Sequence, residues 1–173
     1  MTRQKNKIAI LISGRGSNMV ALADAVSNGV VPDSEIALVV SDQPNAAGLQ
    51  LAQSRGLATA VVERRGRTRD AHDAELVTLL QQYQVDFVCL AGYMRLLSLG
   101  FLEAFAGHIL NIHPSLLPAF PGLDAQRQAL EHGVKFTGCT VHFVDQTLDG
   151  GPIIAQRVVP VLAEDTEETL SAR

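Results

Sequence analysis

The sequence predicts an α/β fold: a mostly parallel sheet with helices on both faces, ending in an antiparallel hairpin. Three observations point there. Between Lys7 and His113, short apolar strand-like runs alternate with helical patterns. A glycine-rich turn, Gly14-Arg15-Gly16, follows the first of those runs directly. Beyond Pro118 the alternation changes, and two strand-like segments are joined by a loop with no helix between them.

Taken in order, Lys7–Ser13 reads as a buried strand and Met19–Val26 as the helix after the turn. A strand, a glycine turn and a helix form a cradle for an anion, because free backbone N–H groups and the positive helix end face it. Met19 breaks the dinucleotide fingerprint, and the Gly-Lys-Ser/Thr of a Walker A loop is absent. The turn therefore reads either as a monophosphate site, with Ser17 and Asn18 as extra donors, or as a plain structural turn. Glu35–Ser41 and Ala58–Val62 are the next strands, with a helix over Ala46–Arg55 closed by Gly56. Thr68 is a good N-cap for a helix to Gln82, whose Ala71, Leu76, Leu79 and Leu80 share a face. Val85–Ala91 is the fourth strand, followed by the apolar loop Gly92-Tyr93-Met94-Arg95-Leu96-Leu97. A short helix over Phe101–Ala106 leads to a fifth strand ending at Asn111 and His113. Such βα alternation gives a Rossmann-like sheet, with the glycine turn and the fifth strand's tip both expected on its carboxyl edge. Ala125–His132 is helical and Gly133 ends it; Thr137–Val144 and Ile153–Val161 form the hairpin.

Asn111 and His113 are two apart, so on a strand they project to one face. Pro114 cannot join a sheet ladder and places the pair at the strand's end. An amide beside an imidazole suits the holding of a carbonyl oxygen that gains negative charge. Asp149 precedes two glycines, which let a loop turn a carboxylate inward, where it would orient the imidazole and favour its protonated form. The plainer readings are an Asn that forms a turn, a hydrogen-bonded His and a solvated turn Asp. No covalent nucleophile is in evidence: Ser115 lacks a G-x-S-x-G elbow and Cys89 is in mid-strand. Direct acyl transfer to an amine is the expected chemistry.

Composition narrows the field. The 173 residues, 47% hydrophobic and 18% charged, suit one domain with a sizeable core. A net charge of −4 leaves no basic footprint for nucleic acid. The cluster Arg64, Arg65, Arg67 and Arg69 is either a solvated loop or a site for an anion. The apolar runs are too short to span a membrane, and the polar stretch Met1–Lys7 does not resemble a signal peptide. Cys89 and Cys139 lack zinc spacing and read as buried free thiols in a reducing cytoplasm.

The motifs Gly14-x-Gly16-Ser17-Asn18, Ala91-Gly92-Tyr93-Met94-Arg95, Asn111-Ile112-His113-Pro114-Ser115-Leu116-Leu117-Pro118, Phe120-Pro121-Gly122 and Leu148-Asp149-Gly150-Gly151-Pro152-Ile153 occur together. In order and spacing the chain resembles the folate-dependent formyltransferase family, and within it the phosphoribosylglycinamide formyltransferases. The resemblance implies the formyltransferase fold and transfer of a formyl group from 10-formyltetrahydrofolate to the amine of glycinamide ribonucleotide, in de novo purine biosynthesis. It implies catalytic roles for Asn111, His113 and Asp149, and ribonucleotide binding by Gly16, Ser17 and Asn18. Arg69, Met94, Arg95, Leu96, Leu97 and Asn111 would hold the folate. No metal is expected, and the partners are two small molecules, with no nucleic acid or membrane, for a cytoplasmic monomer or homodimer.

The expected organisation is one domain over 1–173, with a phosphate-binding half at 1–106 and a catalytic and folate-binding half at 107–173. Two departures from the family pattern are visible: Asp124-Ala125-Gln126 stands where many members carry histidines, and the family continues past Arg173 into a further helix. A natural protein longer than this chain is the resulting expectation. Competing functions are another folate-dependent formyltransferase, a formyltetrahydrofolate hydrolase, a non-catalytic phosphosugar-binding domain, and a metal hydrolase using His113, His142 and Asp149.

Overall fold

The computed structural model describes residues 5–173. The sequence-based reading of Met1–Lys7 falls largely outside them. Seven strands lie in the order β3-β2-β1-β4-β5-β6-β7. They are β1 Asn6–Ile12, β2 Ser34–Ser41, β3 Thr59–Val61, β4 Phe87–Leu90, β5 Ile109–His113, β6 Phe136–Phe143 and β7 Ile153–Pro160. The helices are α1 Ser17–Ser27, α2 Ala47–Gln53, α3 Arg69–Gln82, α4 Leu99–Ala104, α5 Ala125–Glu131 and α6 Glu167–Ala172. Contacts divide the chain into two compact units, Met1–Ile109 and Leu110–Arg173.

In the first unit β1 pairs in parallel with β2 and with β4, and β2 with β3. The strand order therefore reverses between β1 and β4, and in such a sheet the crevice at the strands' carboxyl ends is the usual ligand site. The central strands are buried on both faces, which is why they read as continuous apolar runs: Ala9 to Ile12 and Leu38 to Val40 are almost wholly covered. Ile10, Ile12, Met19, Val39, Leu49 and Ala52 form one core cluster joining sheet, α1 and α2. The turn after α2 closes at Gly56, whose φ of 72° lets its N–H reach Gln53 O while Leu57 N reaches Ala52 O. Thr68 caps α3 through its side chain, as its position foretold.

Other expectations need correcting. Ala71 faces solvent; the buried stripe of α3 is His72, Asp73, Leu76 and Leu80. A buried, hydrogen-bonded histidine and aspartate thus occupy positions that apolar periodicity assigned to a neighbour. The short helix begins two residues early, at Leu99, because Ser98 caps it by accepting from Phe101 N. Cys89 and Cys139 are free but only half-buried, and burial still pushes the Cys89 thiol up to about 11.

In the second unit β5 and β6 pair antiparallel, as do β6 and β7. The buried residues of β6 are polar ones, Thr137, Thr140 and His142. Edge strand β7 leaves Ile153, Ile154 and Val158 exposed. Thr166 caps α6 in a reciprocal box with Thr169, and Leu170 is the residue α6 buries. The Arg173 guanidinium grips Asp165 with two 2.7 Å contacts and holds its carboxyl well below the usual carboxylate range. No helix among the described residues is long and apolar enough to cross a membrane.

Candidate active site

In the second unit the sheet register brings the polar residues together. Asn111 lies opposite His142 and His113 opposite Thr140 across the β5–β6 ladder. Asp149 arrives from the β6–β7 loop in a left-handed backbone conformation, φ 50°. The glycines beside it are obligatory. A Cβ on Gly151 would stand 2.0 Å from Phe143 O, and one on Gly150 would stand 2.5 Å from Thr147 Oγ1. Only bare backbone folds the loop back this tightly, and that fold aims the Asp149 carboxylate inward.

Asp149 Oδ2 lies 3.4 Å from His113 Nδ1, and its Oδ1 lies 3.8 Å from His142 Nε2. Gly122 N donates to the same Oδ2 at 2.8 Å. The other nitrogen of His113, Nε2, lies 2.8 Å from Phe120 O. Both ring nitrogens of His113 thus face oxygen atoms, a carboxylate on one side and a backbone carbonyl on the other. His142 is different. Its Nδ1 donates to Phe143 O at 2.9 Å, which leaves Nε2 to accept from Asn111 Nδ2 at 3.2 Å. That bond fixes the amide of Asn111 and uses one of its two N–H groups. The second has no partner among the described residues, and Asn111 is only half-buried. An oriented, uncommitted N–H beside the His113–Asp149 pair is equipped to hold a developing oxyanion.

Asn111, His113 and Asp149 are therefore brought together within the second unit. His142, Phe120 O and Gly122 N also belong to this cluster. Sequence reading weighed His142 only as a metal ligand; the available signal was the polar alternation of Thr140 and His142 beside the Asn111-x-His113 strand. Among the described residues no group of three His, Cys, Asp or Glu is arranged to hold a metal ion.

The remaining candidates lie in the first unit. Gly16 has φ 79° and ends the turn; α1 starts at Ser17 without any side-chain cap. Ser17 and Asn18 are exposed, and their side chains make no hydrogen bond to other described residues. The bare Cα of Gly16 has a packing reason too: a Cβ there would meet the Gly48 Cα of α2 at 2.6 Å. The loop after β4 is tied to the end of β1, with Ser13 N donating to Gly92 O and Met94 N to Ser13 Oγ. In that loop Met94 and Leu96 are each 61% exposed, and Arg95 and Leu97 are half-buried. Arg69 opens α3 and is exposed, and no hydrogen bond or ion pair joins it to that loop. Within the arginine cluster, Arg64 faces the buried Asp42 at 3.3 Å and Arg67 pairs with Glu75, whereas Arg65 and Arg69 have no ion pair among the described residues.

Comparison with known proteins bears on all of this. Residues 6–173 match the formyl transferase family. The chain is 46% identical over 167 residues to the phosphoribosylglycinamide formyltransferase of Escherichia coli, covering 96% of this chain and 78% of that protein. It is 45% identical over 175 residues to the trifunctional purine biosynthetic protein adenosine-3 of Drosophila melanogaster, of whose length it spans 13%. Among solved structures, glycinamide ribonucleotide transformylase 1 of Symbiobacterium toebii superposes with a TM-score of 0.95 at 52% identity, covering 98% of this chain and 80% of that one. With a family match along residues 6–173 and a fold that superposes this closely, the chain belongs to the formyl transferase family.

Proposed function

We propose that this chain transfers the formyl group of 10-formyltetrahydrofolate to the amine of glycinamide ribonucleotide, a step of de novo purine biosynthesis. The observation that carries this reading is the uncommitted Asn111 N–H held beside the His113–Asp149 pair. The folate supplies an activated formyl carbon. The amine attacks it, the new C–N bond forms, the bond to the folate nitrogen breaks, and the proton lost by the amine ends on that departing nitrogen. Asn111 donates to the oxygen that becomes negative. His113, charged and held by Asp149, stabilises the same oxygen once it exchanges Phe120 O for the substrate. His142 keeps the Asn111 amide turned the right way.

In this reading Gly16, Ser17 and Asn18 receive the ribonucleotide phosphate through the α1 N–H groups and two hydroxyl and amide side chains. Met94, Leu96 and Leu97 offer apolar surface to the pterin, and Arg69 and Arg95 offer charge to the carboxylate tail. These residues fit a flat aromatic molecule with an anionic tail. The partners are the two small molecules, and the setting is the cytoplasm.

The test is the absorbance change of the folate on mixing protein, 10-formyltetrahydrofolate and glycinamide ribonucleotide. We expect a change that needs both substrates and survives a chelator. A change without the ribonucleotide points to a hydrolase, loss with chelator to a metal enzyme, and binding without any change to a phosphosugar-binding domain.

A further inference from the structure

The turn that carries Phe120 and Gly122 hangs on one side chain. Thr140 sits on β6 opposite His113 and is fully buried. Its hydroxyl donates to Ser115 O at 2.7 Å and accepts from Leu117 N and Gln156 Nε2, each at 3.0 Å. A hydroxyl has one proton and two lone pairs, so Thr140 is saturated. Gln156 Nε2 reaches Leu117 O as well, also at 3.0 Å. Ser115 Oγ carries the link forward to Ala119 O. The next residue is Phe120, whose carbonyl meets His113 Nε2, and two further on Gly122 N meets Asp149. One end of the 115–122 turn is thus pinned by Thr140 and Gln156. The other end presents an acceptor to the imidazole and a donor to its carboxylate.

We propose that Thr140, supported by Gln156, is a positioning residue for formyl transfer: through the 115–122 turn it fixes where Phe120 O holds the His113 ring. The proposal rests on the catalytic reading of His113 given above. Neither Thr140 nor Gln156 hydrogen-bonds the His113, Asn111 or Asp149 side chain; the hydrogen bonds of both reach the site through the turn. Misplacing a reacting group by about 1 Å costs up to roughly a hundredfold in rate, so loosening one support should cost less.

The experiment uses the full chain with Thr140→Val, Thr140→Ser and Gln156→Leu. Valine keeps the shape and removes the hydroxyl; serine restores it. The first readout is the ring N–H proton of His113 in cold 1H–15N spectra without substrate, assigned by its loss in His113→Ala. The second is kcat against KM. In Thr140→Val we expect that signal to broaden away or move upfield, kcat to fall about tenfold, and KM for the ribonucleotide to stay within about twofold. Thr140→Ser restores both, and Gln156→Leu falls between. A lowered melting temperature with signal and kcat unchanged would make Thr140 a core residue only and overturn the proposal. So would a missing ring N–H signal in the unsubstituted chain, because Phe120 O would then not be holding the ring. If Thr140→Val does not fold, Gln156→Leu decides by the same two readouts. The spectra need no turnover, so a chain without formyl transfer sinks the functional reading separately from the positioning one.

Discussion

His72 with Asp73 in the first unit and His113 with Asp149 in the second are the same two residue types at 2.9 and 3.4 Å. His72 and Asp73 are neighbours on α3, and every polar atom of the pair is used inside the protein. His72 Nε2 bonds Val62 O at 2.8 Å and Asp73 Oδ2 accepts from Ser98 N at 2.6 Å. The pair ties α3 to the end of β3 and to the start of α4, and with both side chains essentially unexposed no ligand reaches it. His113 and Asp149 come from a strand tip and a glycine-backed loop. Their pair keeps an edge toward solvent and has beside it an amide with an unused N–H. A histidine–aspartate pair is therefore a brace where its surroundings consume every donor and acceptor. It becomes a site where the fold leaves one uncommitted.

The contrast can be broken by removing each histidine in turn. His72→Leu leaves Oδ1 of the buried Asp73 carboxylate and Val62 O without a partner, so stability should fall by about 3–5 kcal/mol while turnover per folded molecule is kept. Urea unfolding and assays on the folded fraction measure the two. His113→Ala should do the reverse. Turnover drops roughly a hundred- to a thousandfold, the usual cost of one oxyanion-stabilising group, and stability changes by less than about 1 kcal/mol. If His72→Leu abolished turnover in a well-folded protein, the sealed pair would be catalytic after all.

Asp149→Asn sharpens the same contrast. The amide keeps the size and accepts from Gly122 N, but it no longer offers a negative charge to His113. We expect kcat to fall by roughly a hundredfold, the low end for a group that manages a proton, with KM for the ribonucleotide nearly unchanged. A raised KM at constant kcat would reassign Asp149 to substrate binding.

How much of this could be read in the sequence follows from the physics of each part. The parallel sheet was legible because strands buried on both faces must be continuously apolar, as in Ile8-Ala9-Ile10-Leu11-Ile12. Asn111 and His113 were legible because a period of two and a proline stop fix a strand tip. His142 was not, since its role depends on the register of β5 against β6, which no local pattern specifies. The His72–Asp73 brace was hidden because α3 breaks the apolar periodicity there. Likewise Gly16 reads as a phosphate glycine, while its contact with Gly48, 32 residues away, exists only in the folded first unit.

That last point changes how the glycine turn should be tested, and it gives the smallest effects expected here. Gly16→Ala forces a side chain into a backbone with φ 79° and toward Gly48 Cα at 2.6 Å, so it should lower stability by about 1–2 kcal/mol and disturb the first unit generally. A loss of ribonucleotide affinity in that variant would not separate a phosphate cradle from a scaffold. Ser17 and Asn18 make the cleaner probe, because both are exposed and their side chains bond nothing else among the described residues. Ser17→Ala should leave stability within about 0.5 kcal/mol, as for most exposed positions. If its hydroxyl donates to the phosphate, one hydrogen bond of about 0.5–1.5 kcal/mol is lost, which raises KM for the ribonucleotide by roughly two- to tenfold. KM for the folate should not move. Asn18→Ala should behave alike. If both variants bind the ribonucleotide normally while Gly16→Ala weakens it, the turn is scaffold, and the phosphate must be held elsewhere.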